Sequence, residues 1–354
     1  MDQHWDDFRI ITQEFYPERQ TSVYILDKNL KLKGSVWGLW KTEDFKSSRF
    51  MWDKLYLVTF KQIDPFYVVD LSDSTKPRVI GELKIPGYST YLHPYDENHI
   101  IGLWYDTIEN QWWGTMNGGV KVDLYEINFD KKVSEVCWKG EAKEQLVCLK
   151  SSGIEVKNIE DAKNHMNFNN IFVRQKFTQT FGSKWSHSEA LNNPRMFMWN
   201  SDKNTLLLPV KISGTDEKNY YKQTSVFQWL LALEIDKQNG IKQKYSVTHI
   251  DTSDAEEQRF KACEKYIPKE IETPCKTLIN GQEYCPTKAK TYIPNYCFAD
   301  STINEYVAAN YYQYRDSYVT RALWIWDKVF SISNDQIKTL DFDSWKELYS
   351  LKIK

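Results

Sequence analysis

The sequence predicts an all-β fold, a β-propeller of about five recognisable four-stranded blades (range 5–7), and three observations carry that prediction. A short apolar strand ending in an acid recurs. It reads Val23-Tyr24-Ile25-Leu26-Asp27, Tyr67-Val68-Val69-Asp70-Leu71, Leu124-Tyr125-Glu126-Ile127, Leu231-Ala232-Leu233-Glu234-Ile235 and Thr339-Leu340-Asp341-Phe342. A second element recurs beside it: Phe50-Met51-Trp52-Asp53-Lys54-Leu55-Tyr56 parallels Trp324-Ile325-Trp326-Asp327-Lys328-Val329-Phe330, with a looser copy at Met198-Trp199-Asn200-Ser201-Asp202-Lys203. Each copy reads as strand, tight turn, strand, with Asp-Lys in or just after the turn, where residues tolerant of left-handed backbone belong. The regular crossover helices that a parallel sheet demands are missing from the pattern. Two hairpins per repeat make a four-stranded meander that cannot bury its apolar face alone, so its recurrence implies a radial array.

Spacing orders the elements. The recurring acids are separated by 43 residues (27 to 70), 56 (70 to 126), 108 (126 to 234) and 107 (234 to 341). A four-stranded blade takes about 40–50 residues, so the first two intervals suit one blade each and the last two carry extra chain. We read residues 1–354 as one propeller domain with insertions at about 141–182 and 252–315, the second rich in cysteine. Asp254–Lys261 is helix-compatible, and 158–165 is polar with room for a short helix. The acids themselves are better read as turn-setters than as a ring of catalytic carboxylates. An acid at a strand end accepts backbone N–H bonds from the turn that follows.

Composition narrows the function. Lys and Arg number 46 against 48 Asp and Glu, which leaves no basic excess for a general grip on nucleic acid. Hydrophobic residues at 41% and aromatics at 15% exclude a disordered chain. No run of 18 apolar residues exists, so no transmembrane helix is expected, and Met1–Asp7 lacks the features of a signal peptide. The six cysteines, Cys137, Cys148, Cys263, Cys275, Cys285 and Cys297, form no CxxC and are read as disulfide candidates, which favours an oxidising, exported setting. Cys137 and Cys148 are expected to bracket a hairpin at Trp138–Glu141. The pairing within the later four stays open among three connectivities.

The segments Arg49–Phe60, Lys61–Asp73, Gly81–Ser89 and Tyr91–His99, with Gly118–Tyr125, Ser188–Leu191 and Arg321–Asp327, resemble the secreted β-propeller-domain family of bacteria and archaea. The resemblance is dense over 49–105 and scattered over most of 8–354. It implies a propeller fold and an exported, extracellular location, and it implies no reaction and no catalytic residues. Members of that family are typically longer, so the chain is expected to be a propeller of fewer blades or a piece that another segment completes.

Few constellations suggest chemistry. His93-Pro94-Tyr95-Asp96-Glu97-Asn98-His99 reads as a turn opening a blade in preference to a metal site, so no metal and no cofactor are expected. Ser186, His187, Ser188 and Glu189 resemble a triad in composition only; alternation sends Ser186 and His187 to opposite faces, and the G-x-S-x-G elbow is missing. Asn239-Gly240 and Asn280-Gly281 are hairpin turns, Gly118-Gly119 is a loop-to-strand entry, and Asp70–Ser74 is a blade-edge turn. Aromatic residues supply the binding candidates: Trp104, Trp112 and Trp113 on an expected loop at 104–114, and Tyr311, Tyr312 and Tyr314 on a second patch. Exposed aromatics serve sugar stacking or protein interfaces. The sequence thus favours a non-catalytic binding or scaffold module, or a subunit of an extracellular assembly, with protein partners or self-association. The alternative is a carbohydrate-binding or carbohydrate-active protein that meets polysaccharide at the propeller's central pocket; a glycosidase there would need two suitably spaced carboxylates.

Overall fold

The computed structural model describes residues 8–15, 18–39, 44–60, 64–85, 88–110, 114–151, 158, 171–216, 219–264, 276–277, 283–284, 294–297 and 302–353. Five antiparallel meanders follow one another along the chain, and each is a blade. The first is β1 (Phe8–Phe15), β2 (Glu18–Leu26) and β3 (Leu32–Leu39). The second is β4 (Asp44–Met51), β5 (Lys54–Phe60), β6 (Asp64–Asp70) and β7 (Arg78–Ile85). The third is β8 (Tyr88–Asp96), β9 (His99–Asn110), β10 (Gly114–Lys132) and β11 (Ile171–Phe181). Between β10 and β11 stand helices α1 (Val133–Cys137) and α2 (Ala142–Ser151). The fourth blade is β12 (Met198–Asn200), β13 (Thr205–Asp216), β14 (Asn219–Asp236) and β15 (Gly240–Val247). A second excursion holds α3 (Thr252–Glu264), the small hairpin β16 (Lys276–Thr277) and β17 (Glu283–Tyr284), α4 (Ile303–Ala309) and α5 (Tyr311–Tyr314). The fifth blade is β18 (Arg321–Ile325), β19 (Lys328–Ile332), β20 (Gln336–Asp341) and β21 (Glu347–Lys352).

The inner strands are apolar on both faces because both faces are covered. On β5, Leu55 and Leu57 join the first blade's Val23 and Ile25, while Tyr56 and Val58 join the third blade's Ile100 and Trp104. On β9, Ile101 and Leu103 pack with Leu206, Leu208 and Val210 of β13. Leu207 of β13 meets Ala322, Val329 and Leu340 of the fifth blade. Alternation along each strand therefore assigns odd and even residues to different neighbours.

The recurring acids occupy equivalent points. Asp70, Glu126, Glu234 and Asp341 lie opposite Lys54, His99, Thr205 and Lys328, the first residue of the second strand in blades two to five. Asp27 follows the next-to-last strand of the first blade and Asp70 and Asp341 close theirs, whereas Glu126 and Glu234 lie inside β10 and β14, which run on to Lys132 and Asp236. Their work differs by blade. Asp27 accepts from the amides of Asn29 (2.8 Å) and Lys31 (2.9 Å), Asp70 from that of Ser72 (3.1 Å), and Asp341 from that of Ser344 (2.8 Å). Glu126 instead binds Arg174 (2.6 Å) and Lys176 (3.2 Å), and Glu234 binds Lys244 (2.6 Å). In the fourth blade the turn is set two residues later, by Asp236, while Asn128 in the third accepts from the Asp130 amide at an irregularity within β10.

Several local expectations are corrected. The first blade has three strands among the described residues, not four. The stretch expected as a loop at 104–114 is β-strand as far as Asn110, because β9 pairs with β10 over its whole length. Gly118-Gly119 lies inside β10 at a register shift between Asn117 and Val120, and Pro94 lies inside β8 at another. Residues 171–181 form the last strand of the third blade. Cys137 and Cys148 form a disulfide (Cα–Cα 5.3 Å) that staples two helices, not a β-hairpin. Cys263 pairs with Cys297 (Cα–Cα 5.5 Å), and Cys275 and Cys285 lie outside the described residues, as do Asn280-Gly281 and 159–165. The left-handed turn positions go to Trp52 (φ 51°) and Trp326 (φ 55°), not to the Asp-Lys that follows.

Two polar groups in the core have partners, although one Asp123 oxygen and the Trp104 indole N–H are buried without a hydrogen bond. Asp123 is fully buried; Tyr125 donates to it (2.5 Å), Lys121 stands 3.8 Å away, and burial pushes its carboxyl pKa up. His249, on the connection leaving the fourth blade, contacts Ser331 (2.7 Å) and Ser333 (2.8 Å) of the fifth. Burial, with the Lys338 charge adding to it, lowers its pKa to about 4.

Two outcomes follow from these contacts. His249 gains its proton in the unfolded chain near pH 6.5 but in the folded chain only near pH 4, so its contribution is complete above pH 6.5 and is lost as pH falls towards 4. Thermal melts from pH 7 to pH 4 should show that decline, and His249→Gln should flatten it. At Gly102 a Cβ would come within 2.0 Å of the Trp104 indole nitrogen and 2.8 Å of the Tyr125 ring. Gly102→Ala should therefore destabilise the protein by about 1–3 kcal/mol in urea titration, the usual penalty for overpacking.

Candidate functional site

The strand β12 is three residues long, so it pairs only with the first residues of β13 and leaves the edge at 209–213 without a strand partner. The segment 183–188 covers that edge with serines. Ser183 donates its amide (2.8 Å) and hydroxyl (3.0 Å) to the Ser213 carbonyl, Ser188 donates to Pro209 (2.6 Å), and the Ser213 amide donates to Ser186 (2.9 Å). Between them His187 and Lys211 exchange both backbone hydrogen bonds, His187 N–H to Lys211 (2.8 Å) and Lys211 N–H to His187 (2.7 Å). Residues paired in this way carry their side chains on one face, with Cα atoms about 5.5 Å apart.

That face lies at the junction of the third and fourth blades, where Tyr105 of β9 meets His187. Tyr105, six residues into β9 as Lys211 is six into β13, places its hydroxyl 2.6 Å from His187 Nδ1. Burial lowers the His187 pKa and leaves the ring neutral at neutral pH. With the tyrosine hydroxyl donating to Nδ1, the ring proton is assigned to Nε2, which stands 3.9 Å from a Glu189 oxygen. Lys211 is half-buried, and burial lowers its pKa. Its ammonium lies 4.5 Å from the centroid of the Tyr311 ring, and no carboxylate among the described residues pairs with it. The Tyr311 ring in turn meets Tyr312 (5.5 Å) and Tyr318 (5.3 Å). At the surface, Tyr312 is 86% exposed and Trp185 is 62% exposed at a left-handed φ of 73°.

The sequence-derived candidates separate on the structure. Tyr311, half-buried, and Tyr312, exposed, stand beside Lys211, while Tyr314 is buried against Tyr306 (ring centroids 6.2 Å). Trp104 is wholly buried between the second and third blades, in edge contact with Tyr125 (5.8 Å). Trp112 and Trp113 lie outside the described residues. His93 packs on Tyr91 and Phe197, and His99 binds Asp96 (2.7 Å), so the two histidines serve different contacts. Among the described residues no group of three or more His, Cys, Asp or Glu is placed to hold a metal ion. Ser186 is sealed on the Ser213 backbone and does not meet His187 as a nucleophile. Lys211 and Tyr105 escaped the sequence reading because a lone Lys and a lone Tyr on strands carry no motif. The signal available was the serine alternation Ser183, Ser186, Ser188, which marks a segment bonded to an edge.

Two clefts lie elsewhere. One of about 520 Å³, between α2 and the third blade, is floored by Phe172, Val147 and the Cys148 side of the disulfide. The other, of about 670 Å³ between the second and third blades, is lined by Lys54, Asp70, Arg78, Phe129, Lys132 and Ile171. At both, the acids Glu126 and Asp70 are already held by cations.

The Beta propeller domain family model matches residues 1–138 and 166–278. An uncharacterised protein of Methanocaldococcus jannaschii is 40% identical over 132 residues, 36% of this chain and 20% of that protein. An uncharacterised protein of Archaeoglobus fulgidus is 39% identical over 109 residues, 31% of this chain and 16% of that protein. The matched stretches thus span about a fifth or less of those relatives. Among solved structures, the WD40 domain of SCAP from fission yeast superposes with a TM-score of 0.36 at 8% identity, over 98% of this chain and 52% of that one. A Synechocystis apocarotenoid oxygenase mutant gives 0.33 at 9% identity, over 99% and 58%. Superposition at this level carries no functional information.

Proposed function

The chain belongs to the Beta propeller domain family, and we propose that it acts there as a non-catalytic, exported binding or scaffold module that assembles through its outer blades. One observation carries this reading. Of the 15 large hydrophobic side chains exposed among the described residues, nine lie on the first and fifth blades. Interior blades spend both faces on neighbours; these two do not.

The fifth blade shows the effect most plainly. Ala322, Val329 and Leu340 face the fourth blade and are buried. The opposite face lines up Leu323, Phe330, Thr339 and Tyr349, with Ile332, Ile337 and Leu351 alongside. Tyr349 is 62% exposed and Leu351 is 47% exposed. A contiguous apolar sheet face marks an interaction site. On the first blade, Trp37 (58% exposed) stands against Tyr24 in edge contact at 4.8 Å.

Other features agree. Asp70 is paired with Lys54, Glu126 with Arg174, and His249 with two serines. Two disulfides suit an oxidising compartment, and no helix among the described residues is long and apolar enough to cross a membrane. Light scattering coupled to size exclusion tests the assembly. The wild-type chain at micromolar concentration should exceed the 42.0 kDa of one copy. Replacing both Tyr349→Ser and Leu351→Ser should return it to one copy with its melting temperature little changed. A wild-type chain that stays at one copy across the concentration range would remove self-assembly from the reading.

A further inference from the structure

We infer that the surface at the junction of the third and fourth blades binds an acidic polysaccharide, with Lys211 and His187 receiving the anionic group of a sugar and the exposed Tyr312 receiving its ring. The inference rests on the binding-module reading and names the ligand class for one site of it.

The argument begins with charge. Lys211 is half-buried, its ammonium rests on the Tyr311 ring at 4.5 Å, and no carboxylate among the described residues pairs with it. A partly desolvated cation without a counter-ion is a standing cost, and a bound anion relieves it. His187 adds a directional donor on the same strand face, since the two residues share a hydrogen-bonded pair. Tyr105 fixes its tautomer from behind at 2.6 Å. Glu189, whose side chain is 52% exposed, is the acceptor nearest to Nε2 at 3.9 Å, beyond a normal hydrogen bond. A ligand oxygen can therefore take that proton with Glu189 turned to solvent.

Shape and surface point to a sugar over a free inorganic anion. Tyr312, 86% exposed, lies one ring away from the Lys211–Tyr311 contact. A flat, rigid, exposed ring beside a cation and a neutral donor matches a saccharide with a carboxylate or sulfate substituent. A nucleic acid is disfavoured by the chain's net charge of −2.

Isothermal titration of the full chain with alginate, dextran sulfate, unmodified dextran and polyglutamate tests the site. The two anionic polysaccharides separate carboxylate from sulfate recognition. At least one should bind, with dextran about tenfold weaker or undetectable. Lys211→Met, which keeps the stem of the side chain and its packing, should weaken binding about tenfold, in line with loss of one charge-assisted contact. Tyr312→Ala, at a surface position, should weaken it several-fold without altering the fold. The inference is overturned if neither anionic polysaccharide binds, if dextran binds as well as they do, if polyglutamate binds equally, or if Lys211→Met leaves affinity unchanged. A chain that self-assembles yet binds none of the polymers loses this inference alone and keeps the assembly reading.

Discussion

Burial of one blade's face by the next is the constraint on which the other features depend. A four-stranded meander has two faces, and most of its stabilisation comes from apolar area removed from water. Blades two to four satisfy both faces, which is why their strands read as unbroken apolar runs: Leu55 to Val58, Ile100 to Leu103, Leu206 to Val210. The largest apolar cluster among the described residues joins the third and fourth blades. That junction is also where His187 and Lys211 meet Tyr105. The strand β13 carries Lys211 past the region that a short β12 can cover, so a serine-rich segment fills the edge and brings His187 with it.

Polar residues inside the stack mark where neighbouring elements must meet in one register. His249 is held by Ser331 and Ser333 and so fixes how the fourth blade's exit meets the fifth. Asp123 meets Tyr125 and Lys121, two residues to either side on its own strand, through Oδ2, while Oδ1 is buried without a hydrogen bond. Spacing of two places these side chains on one face of β10, so the buried carboxylate travels with its own partners. Such an arrangement tolerates deep burial better than a pair drawn from two blades, because neither partner can be lost by a shift between sheets.

Much of the fold was legible because a blade repeats its own grammar. The acid-ended strands announced the next-to-last strand of each meander, and four of them fall opposite the start of the second strand, as a true repeat requires. What stayed hidden was decided by tertiary pairing. Trp104–Asn110 has the polar and aromatic mixture of a loop, yet β10 pairs with it throughout. Gly118-Gly119 has the composition of a loop entry but is a bulge, since a glycine pair lets a long strand slip register without ending. Cys137 and Cys148 looked like a hairpin clasp because their spacing suits either a hairpin or two short helices. The candidate site was half visible: Tyr311 and Tyr312 were marked by aromatic crowding, whereas Lys211, His187 and Tyr105 come from three separate stretches that only folding joins.

The left-handed tryptophans bring the two halves of the problem together. Trp52 and Trp326 occupy the same two-residue turn, between first and second strands, in the second and fifth blades. Asn204 holds a left-handed position (φ 47°) in the corresponding connection of the fourth blade, with a residue suited to it. A tryptophan in that conformation costs about 1–2 kcal/mol more than a glycine would, and at Trp326 the ring is 87% exposed, so burial recovers little of it. Trp345 (φ 57°) shows the compensated case, stacked on Tyr245 at 4.9 Å. Trp185 (φ 73°) lies between the two cases, its ring exposed yet with the Lys184 ammonium 5.1 Å from its centroid. The fifth blade thus holds both extremes: a strained turn at Trp345 packed on the side that meets the fourth blade, and one at Trp326 whose indole extends the apolar surface that the blade leaves uncovered.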